Sequence, residues 1–208
     1  KGKTVIDNAA KEPEIVNIAT FLNNMGAKIK GAGTSTITVT GVKYLHKAFH
    51  EVIPDRIEAG TYLIVASLLG ENLKIDNIIP NHLEALIAKL TEAGVEMEIG
   101  LDNIVINKVN KYHSVDIKTL VYPGFATDLQ AQYMALMAIS GGTSLITETL
   151  FENRFMHVSE LNRMGANINI KGNTAIVKGV NKLSGAQVMA TDLRASASLI
   201  LAGLFANG

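Results

Sequence analysis

The sequence contains no cysteine. That excludes a disulfide framework, a Cys-ligated zinc and a thiol nucleophile within these residues. It has no excess of either charge, with 19 basic residues against 19 acidic ones, and so no basic surplus for holding nucleic acid or an anionic membrane. No apolar run reaches the roughly 20 residues of a membrane span. No low-complexity stretch or long linker interrupts the 208 residues, enough chain to bury a substantial core without metals or cross-links. The opening KGKTVID lacks a methionine and a signal-peptide pattern. The chain stops at LFANG, just past a helical run, which reads as a fragment.

What the chain does have is repetition. Three segments align: Thr4–Val42 (TVIDNAAKEPEIV…), Leu73–Val109 (LKIDNIIPNHLEAL…) and Ser144–Val180 (SLITETLFENRFMH…). Each reads as strand, helix, glycine, strand, turn, strand. In the second copy Leu83, Leu86, Ile87 and Leu90 recur at helical spacing, and Asn81 with Glu84 spells a capping box after Pro80. In the first, Ile15, Ile18, Phe21 and Leu22 do the same, with Pro13 suited to the first turn. Gly26, Gly94 and Gly165 follow the helices, where a left-handed residue is expected. Ile37–Thr40 and Ile104–Asn107 alternate like half-buried strands. A further strand-like piece is expected after each unit.

A second kind of helix is also written three times: PDRIEAGTYLIVASLL from Pro54, TDLQAQYMALMAIS from Thr127 and TDLRASASLILAG from Thr191. These runs have almost no charged face, so they are expected to be buried all round. The predicted architecture is α/β: amphipathic outer helices, sheets, and buried central helices inside them. Asp55, Asp128 and Asp192 stand at the mouths of the inner helices. Any one of them suits an N-cap, worth about 1 kcal/mol. If the three helices lie parallel, their amino ends converge into an electropositive mouth fit for phosphate or carboxylate. Arg56 adjoins Asp55 and Arg194 is two residues from Asp192, whereas Gln130 and Gln132 follow Asp128. An aspartate with no arginine beside it in sequence is the one expected to be free to act as a base.

The stretches TDLQAQ, FENRFMH and LSGAQVMATDLRASASLILAG, with PDRIEAGT and NAAKEPEIV, resemble the enolpyruvyl transferase family, and within it the members that act on UDP-N-acetylglucosamine. The resemblance covers essentially the whole chain. It implies an inside-out α/β barrel fold of repeated βαβαββ-type units, six in two domains, with the active site between them. Residues 1–53 would be the last part of the first domain and residues 54–208 most of the second, with the junction near Ile53 and Pro54. The family's reactive cysteine or aspartate, and most of its phosphate-binding lysine and arginine, would lie outside these residues.

The implied reaction moves the enolpyruvyl group of phosphoenolpyruvate to the 3′-hydroxyl of UDP-N-acetylglucosamine, releasing phosphate by addition and elimination. This is a bacterial, cytoplasmic step of peptidoglycan synthesis that needs no cofactor or metal. The chemistry calls for a base, a proton donor and cations. By the same resemblance Asp128 contacts the sugar hydroxyl as base, and Leu150 contacts the nucleotide sugar through its backbone. Arg154 and Arg194 face the phosphoenolpyruvate carboxylate and phosphate, with Glu152 and Asp192 as charged neighbours. Arg56 is a further candidate, its alternative being a salt bridge to Glu58 or Asp55. The sister synthase acting on shikimate 3-phosphate and a non-catalytic scaffold of the same repeats are the competing readings. A shortened repeat array also leaves an apolar face open to self-association.

Other residues read as structural. His46 and His50 have the spacing of a helical metal pair, but their segment looks extended and lacks a third ligand. His157 suits the surface or a cap. Met134 and Met137 fill the core. GAGTS and GGTS are turns, not phosphate loops.

Overall fold

The structure, a computed structural model, describes residues 2–70, 72–107, 109, 111–190 and 192–208. By its internal contacts the chain divides into two units. The smaller comprises Lys1–Pro54 with Val121–Pro123, and the larger Asp55–Leu120 with Gly124–Gly208.

The smaller unit contains β1 (Lys3–Asp7), α1 (Pro13–Asn24), β2 (Lys28–Lys30) and β3 (Thr36–Thr40). Strand order is β1-β3-β2, with both neighbours antiparallel to β3. β1 and β2 therefore run parallel with β3 inserted between them. Parallel strands need a crossover, and α1 supplies it. Pro13 opens α1, where its missing N–H costs nothing. The helix turns Pro13 and Ala19 inward, with Ile15 and Leu22 half-buried, while Ile18 is exposed. Ile18 stands one residue, about 100°, off the line through 15, 19 and 22, so the predicted apolar face is rotated. Residues 43–55 carry no strand, contrary to expectation. His50 stacks on Phe21 at 5.1 Å, and the His46 ring nitrogen meets the Lys47 carbonyl.

The larger unit repeats this plan twice. After α2 (Arg56–Leu69) come β4 (Leu73–Asp76), α3 (Glu84–Glu92), β5 (Met97–Ile99) and β6 (Asn103–Ile106). Then come β7 (Ile117–Lys118), α4 (Gln130–Met137), β8 (Thr143–Thr147), α5 (His157–Arg163), β9 (Asn167–Lys171), β10 (Thr174–Lys178) and α6 (Leu193–Phe205). The sheets are ordered β4-β6-β5 and β7-β8-β10-β9, the same inserted-strand topology, with β7 added parallel to β8. No strand follows β10 among the described residues. The capping box is not formed. Pro80–Leu83 winds as a 3₁₀ turn ahead of α3 with no side-chain cap, so Asn81 sits inside the turn and not at its mouth.

All three outer helices end alike. Gly26, Gly94 and Gly165 have φ of +96°, +95° and +90°. In each case the glycine N–H reaches back three residues, and the next N–H reaches back five: Ala27 to Leu22, Val95 to Leu90, Ala166 to Leu161. This is the Schellman bonding that a left-handed residue permits. In the first and third copies an asparagine side chain also ties the helix to the returning strand. Asn23 bonds both backbone groups of Ile29, and Asn162 those of Ile168.

The inner helices α2, α4 and α6 pack against one another, and the two sheets flank α2 and α4. α4 is buried at all eight positions, with Met134 and Met137 fully enclosed. α2 and α6 are not buried all round: Tyr62, Leu69, Leu193, Ile200 and Leu204 are exposed. α4 is covered by α2, α6, β8 and β10, whereas α6 has chiefly α4 and α5 as cover.

The glycine conformation is testable. A Cβ on Gly165 would meet nothing nearer than 4.0 Å, so Gly165→Ala should cost only the backbone strain, about 1–2 kcal/mol. At Gly94 the same Cβ lies 3.2 Å from the Lys111 carbonyl and from the His113 ring. Gly94→Ala should therefore lose more in chemical denaturation, and equal losses would show that space plays no part.

Candidate functional site

The three mouth aspartates hold matching places in the sequence, yet one of them behaves differently from the other two. Asp55 has extended backbone and caps α2, accepting the N–H groups of Ile57 at 2.7 Å and Glu58 at 3.1 Å. Asp192 caps α6 in the same way, accepting from Arg194 and Ala195 at 2.8 and 3.0 Å. Those backbone donors, Ala195 first, together with the Arg194 charge, hold its carboxyl below the ordinary aspartate value. For these two the capping reading holds. The first residue of the TDL motif at Asp192, Thr191, lies outside the described residues.

Asp128 is not a cap. In the second copy the helical path starts two residues earlier. Ala126 takes the extended N-cap backbone, and Thr127–Leu129 already wind as a 3₁₀ turn into α4 with no side-chain cap. A carboxylate already inside the first turn cannot fold back onto the turn's own first amides, so it is available to other partners. It finds two. Arg154 Nη1 donates to Asp128 Oδ1 at 3.1 Å, and Arg194 Nε donates to the same oxygen. No arginine neighbours Asp128 in sequence, yet it is the aspartate that two arginines hold, one 26 and one 66 residues away. The sequence expectation is thereby reversed.

Asp128 and Arg194 line a cavity of about 510 Å³ with Asp55, Glu58, Thr61 and Gln132. It opens among the amino ends of α2, α4 and α6. Gln132 is 2% exposed and spans α4 to α2 through a 3.1 Å bond to Thr61 Oγ1. Gln130 is buried beside it in sequence. Arg154 lines a neighbouring cleft of about 750 Å³ formed by residues 148–156 with Ile170, Gly172 and Asn173. Leu150, Phe151 and Glu152 are on its wall. Phe151 lies under Arg154, 4.1 Å from ring centre to guanidinium carbon, a cation–π contact. Glu152 is exposed there, and both arginines pair with Asp128 in preference to Glu152 or Asp192. Arg56 opens α2 half-buried, beside the cap and not in the cavity lining.

Sequence reasoning missed the residue beneath this arrangement. Glu148 is 2% exposed. Its Oε1 accepts Thr119 Oγ1 at 2.7 Å and the amides of Leu150 and Phe151 at 2.9 and 3.3 Å. Its Oε2 accepts Thr127 Oγ1 at 2.7 Å. Thr127 Oγ1 in turn accepts Arg154 Nη1 at 2.9 Å. A signal was present. Ser144, Ile146 and Glu148 alternate along and just past β8, and the first two are buried. The strand period therefore assigns the glutamate inward, where an unpaired charge is not tolerated.

The placement of His157 also differs from expectation. It is 3% exposed at the start of α5, with Nε2 enclosed and lacking a protein partner. The length of the helix does not show which side its first residue faces. Among the described residues no group of side chains could hold a metal ion.

The whole chain, residues 1–208, matches the family profile described as EPSP synthase (3-phosphoshikimate 1-carboxyvinyltransferase). The chain belongs to this family of enolpyruvyl transferases. It is 60% identical over 207 residues to UDP-N-acetylglucosamine 1-carboxyvinyltransferase 1 of Caldanaerobacter subterraneus subsp. tengcongensis, covering all of this chain and 50% of that protein. It is 59% identical to the UDP-N-acetylglucosamine 1-carboxyvinyltransferase of Geobacter metallireducens, with the same coverage. The chain thus spans about half the length of the curated relatives it matches. Among solved structures, the enolpyruvyl transferase NikO from Streptomyces tendae superposes with a TM-score of 0.86 at 28% identity, over 98% of this chain and 49% of that one. EPSP synthase from Acinetobacter baumannii shares the fold at a TM-score of 0.71 and 18% identity, over 100% of this chain and 51% of that one. The α/β enolpyruvyl transferase fold expected from the sequence is therefore present in this half-length chain. No sheet closes on itself among the described residues.

His157 yields a pH prediction. Burial lowers its pKa from 6.5 to about 4, while the Asp192 charge works the other way. Between those values the unfolded chain binds the proton and the folded chain does not. Stability should therefore fall as pH drops through that window, by about 3 kcal/mol in all. His157→Phe should flatten the stability profile between pH 6.5 and 4, measured by urea unfolding. An unchanged profile would contradict the buried neutral ring.

Proposed function

We propose that these residues form the acceptor-side half of an enzyme that transfers the enolpyruvyl group of phosphoenolpyruvate to the 3′-hydroxyl of UDP-N-acetylglucosamine. The observation that carries the reading is the meeting of two arginines, one from the segment between β8 and α5 and one from the first turn of α6, on one oxygen of Asp128, between two cavities. Enolpyruvyl transfer needs a base for the sugar hydroxyl and cations for a substrate with both carboxylate and phosphate. In this reading Asp128 takes the hydroxyl proton as the oxygen attacks the enol carbon, while an acid from the rest of the full-length protein protonates the methylene to give a tetrahedral adduct. Arg154 and Arg194 hold the carboxylate and phosphate; the new methyl group then gives up a proton, phosphate leaves with its C–O bonding pair, and the double bond re-forms. Leu150 meets the nucleotide sugar through its backbone. Arg56, Glu152 and Asp192 set the surrounding charge.

The relatives named for UDP-N-acetylglucosamine, at 59–60% identity, favour that acceptor over shikimate 3-phosphate. We assign residues 1–53 to the end of the family's first domain and 54–208 to most of its second, a reading supported by the division of contacts at Pro54. The product would feed peptidoglycan synthesis in the bacterial cytoplasm. Since the chain is half the relatives' length, the activity is proposed for a protein of their full length that contains it. The half-chain alone is expected to bind the sugar nucleotide weakly and to self-associate through uncovered apolar surface.

The test is phosphate release from phosphoenolpyruvate. The 208 residues alone should release none. The full-length protein should release phosphate with UDP-N-acetylglucosamine and not with shikimate 3-phosphate. Asp128→Asn should lower its kcat by about 10²–10⁴-fold, the range for loss of a general base. Turnover with the shikimate substrate, or full activity in the Asn variant, would overturn the reading.

A further inference from the structure

Glu148 makes hydrogen bonds whose direction chemistry alone decides. A carboxylate only accepts and a guanidinium only donates. Thr127 Oγ1 lies between the two, 2.7 Å from Glu148 Oε2 and 2.9 Å from Arg154 Nη1. Its single proton therefore goes to Glu148, and its lone pairs are left for Arg154. With Thr127 fixed as an acceptor, Arg154 Nη1 is shared between Thr127 Oγ1 and Asp128 Oδ1. The other Glu148 oxygen gathers the amides of Leu150 and Phe151 and the Thr119 hydroxyl. Thr119 Oγ1 in turn accepts the Thr149 amide at 2.9 Å. One buried carboxylate thus shapes the turn carrying Leu150 and Phe151 and orients the arginine above it.

We infer that Glu148 is a positioning residue of the transfer site. It touches no reacting group. It sets the polarity of Thr127 so that Arg154 stays registered against Asp128, and it holds the 149–151 turn on the cleft wall. The assignment to a transfer site rests on the function proposed above; the hydrogen-bond geometry does not.

Glu148→Gln nearly preserves shape and changes polarity. Three of the four groups around the carboxylate's Oε1 and Oε2, namely Thr119 Oγ1 and the amides of Leu150 and Phe151, donate to Oε1. The new NH₂ must therefore face Thr127. Thr127 then accepts from Gln, and its own proton loses its acceptor and is free to turn toward Arg154, so the lone pair offered to Arg154 is no longer fixed. Thr127→Val removes the same link from the other side, whereas Thr127→Ser keeps it.

Two measurements decide the matter. In the full-length protein, the Arg154 guanidinium N–H signals should be resolved by NMR in the wild type and in Thr127→Ser. They should be lost to rotation in Glu148→Gln and Thr127→Val, with the fold intact by amide spectra. In the full-length protein, Glu148→Gln and Thr127→Val should each lower kcat by about tenfold to a hundredfold, the worth of one hydrogen bond to a charged group. The double variant should be no worse than either single one, and Thr127→Ser should stay near wild type. Retained Arg154 signals in Glu148→Gln, or losses that multiply in the double variant, would overturn the inference. If the full-length wild type transfers nothing, the enolpyruvyl reading falls, and the Arg154 signals still decide whether Glu148 orients that side chain.

Discussion

Two guanidinium groups on one carboxylate oxygen form an arrangement that holds only when each partner is fixed from elsewhere. Asp128, Arg154 and Arg194 keep 33%, 19% and 39% of their side-chain surface open. Pairs so exposed contribute only about 0–1 kcal/mol each, which cannot by itself order long side chains. The order comes from the surroundings. Arg154 lies over Phe151 and against Thr127, which Glu148 fixes. Arg194 is part of the first turn of α6, whose start is fixed by the Asp192 cap. Asp128 is carried by a helix buried at every position. The cluster has two positive charges against one negative charge, beside two cavities. Asp55 and Glu58 also line the first cavity and Glu148 and Glu152 the second, so an anion would be met by guanidinium N–H groups not used on Asp128 and not by a net positive charge, and their geometry does not have to be assembled when it arrives. This is the preorganisation that catalytic electrostatics needs.

The features legible in the sequence were those decided locally. The Schellman glycines could be read because a left-handed backbone position almost demands glycine and because the helix before it ends within a few residues. The strand-helix-strand-strand order could be read because the hydrophobic period changes along each repeat. Where a local signal competed with packing, packing decided. Asn81 and Glu84 spell a capping box, but Pro80 starts a 3₁₀ turn that draws Asn81 inside it. Ile18 belongs to a helical apolar pattern, but Ala19 is the residue turned inward. A charge-free helix is buried all round only if neighbours cover all of it, as they do α4 and do not α6.

The site was half legible. Asp128, Arg154, Arg194 and Leu150 came from a resemblance in short motifs, and the structure brings the first three into contact and puts Leu150 on the wall of the adjoining cleft. The argument from adjacency failed because a guanidinium reaches across space, not along the chain. Counting arginines near each aspartate in sequence pointed to Asp128 as the unpaired one, and it is the paired one. Glu148 could have been found from period-two alternation after β8. A lone acidic residue on a buried strand face implies donors around it, although not which donors they are.

The difference among the three aspartates reduces to where each helix begins. α2 and α6 start immediately after their aspartate, so its side chain turns back to satisfy the free amides. In the second copy the backbone becomes helical at Thr127, and the N-cap position passes to Ala126, whose methyl group offers no acceptor. The shift is two residues. It leaves the carboxylate of Asp128 uncommitted to its own helix and makes the preceding threonine an intermediary between a buried glutamate and an arginine. Repetition supplied the same Asp-headed inner helix three times. A change of register at one helix start is enough to convert a capping residue into one that faces a cavity, with no change in the residue itself.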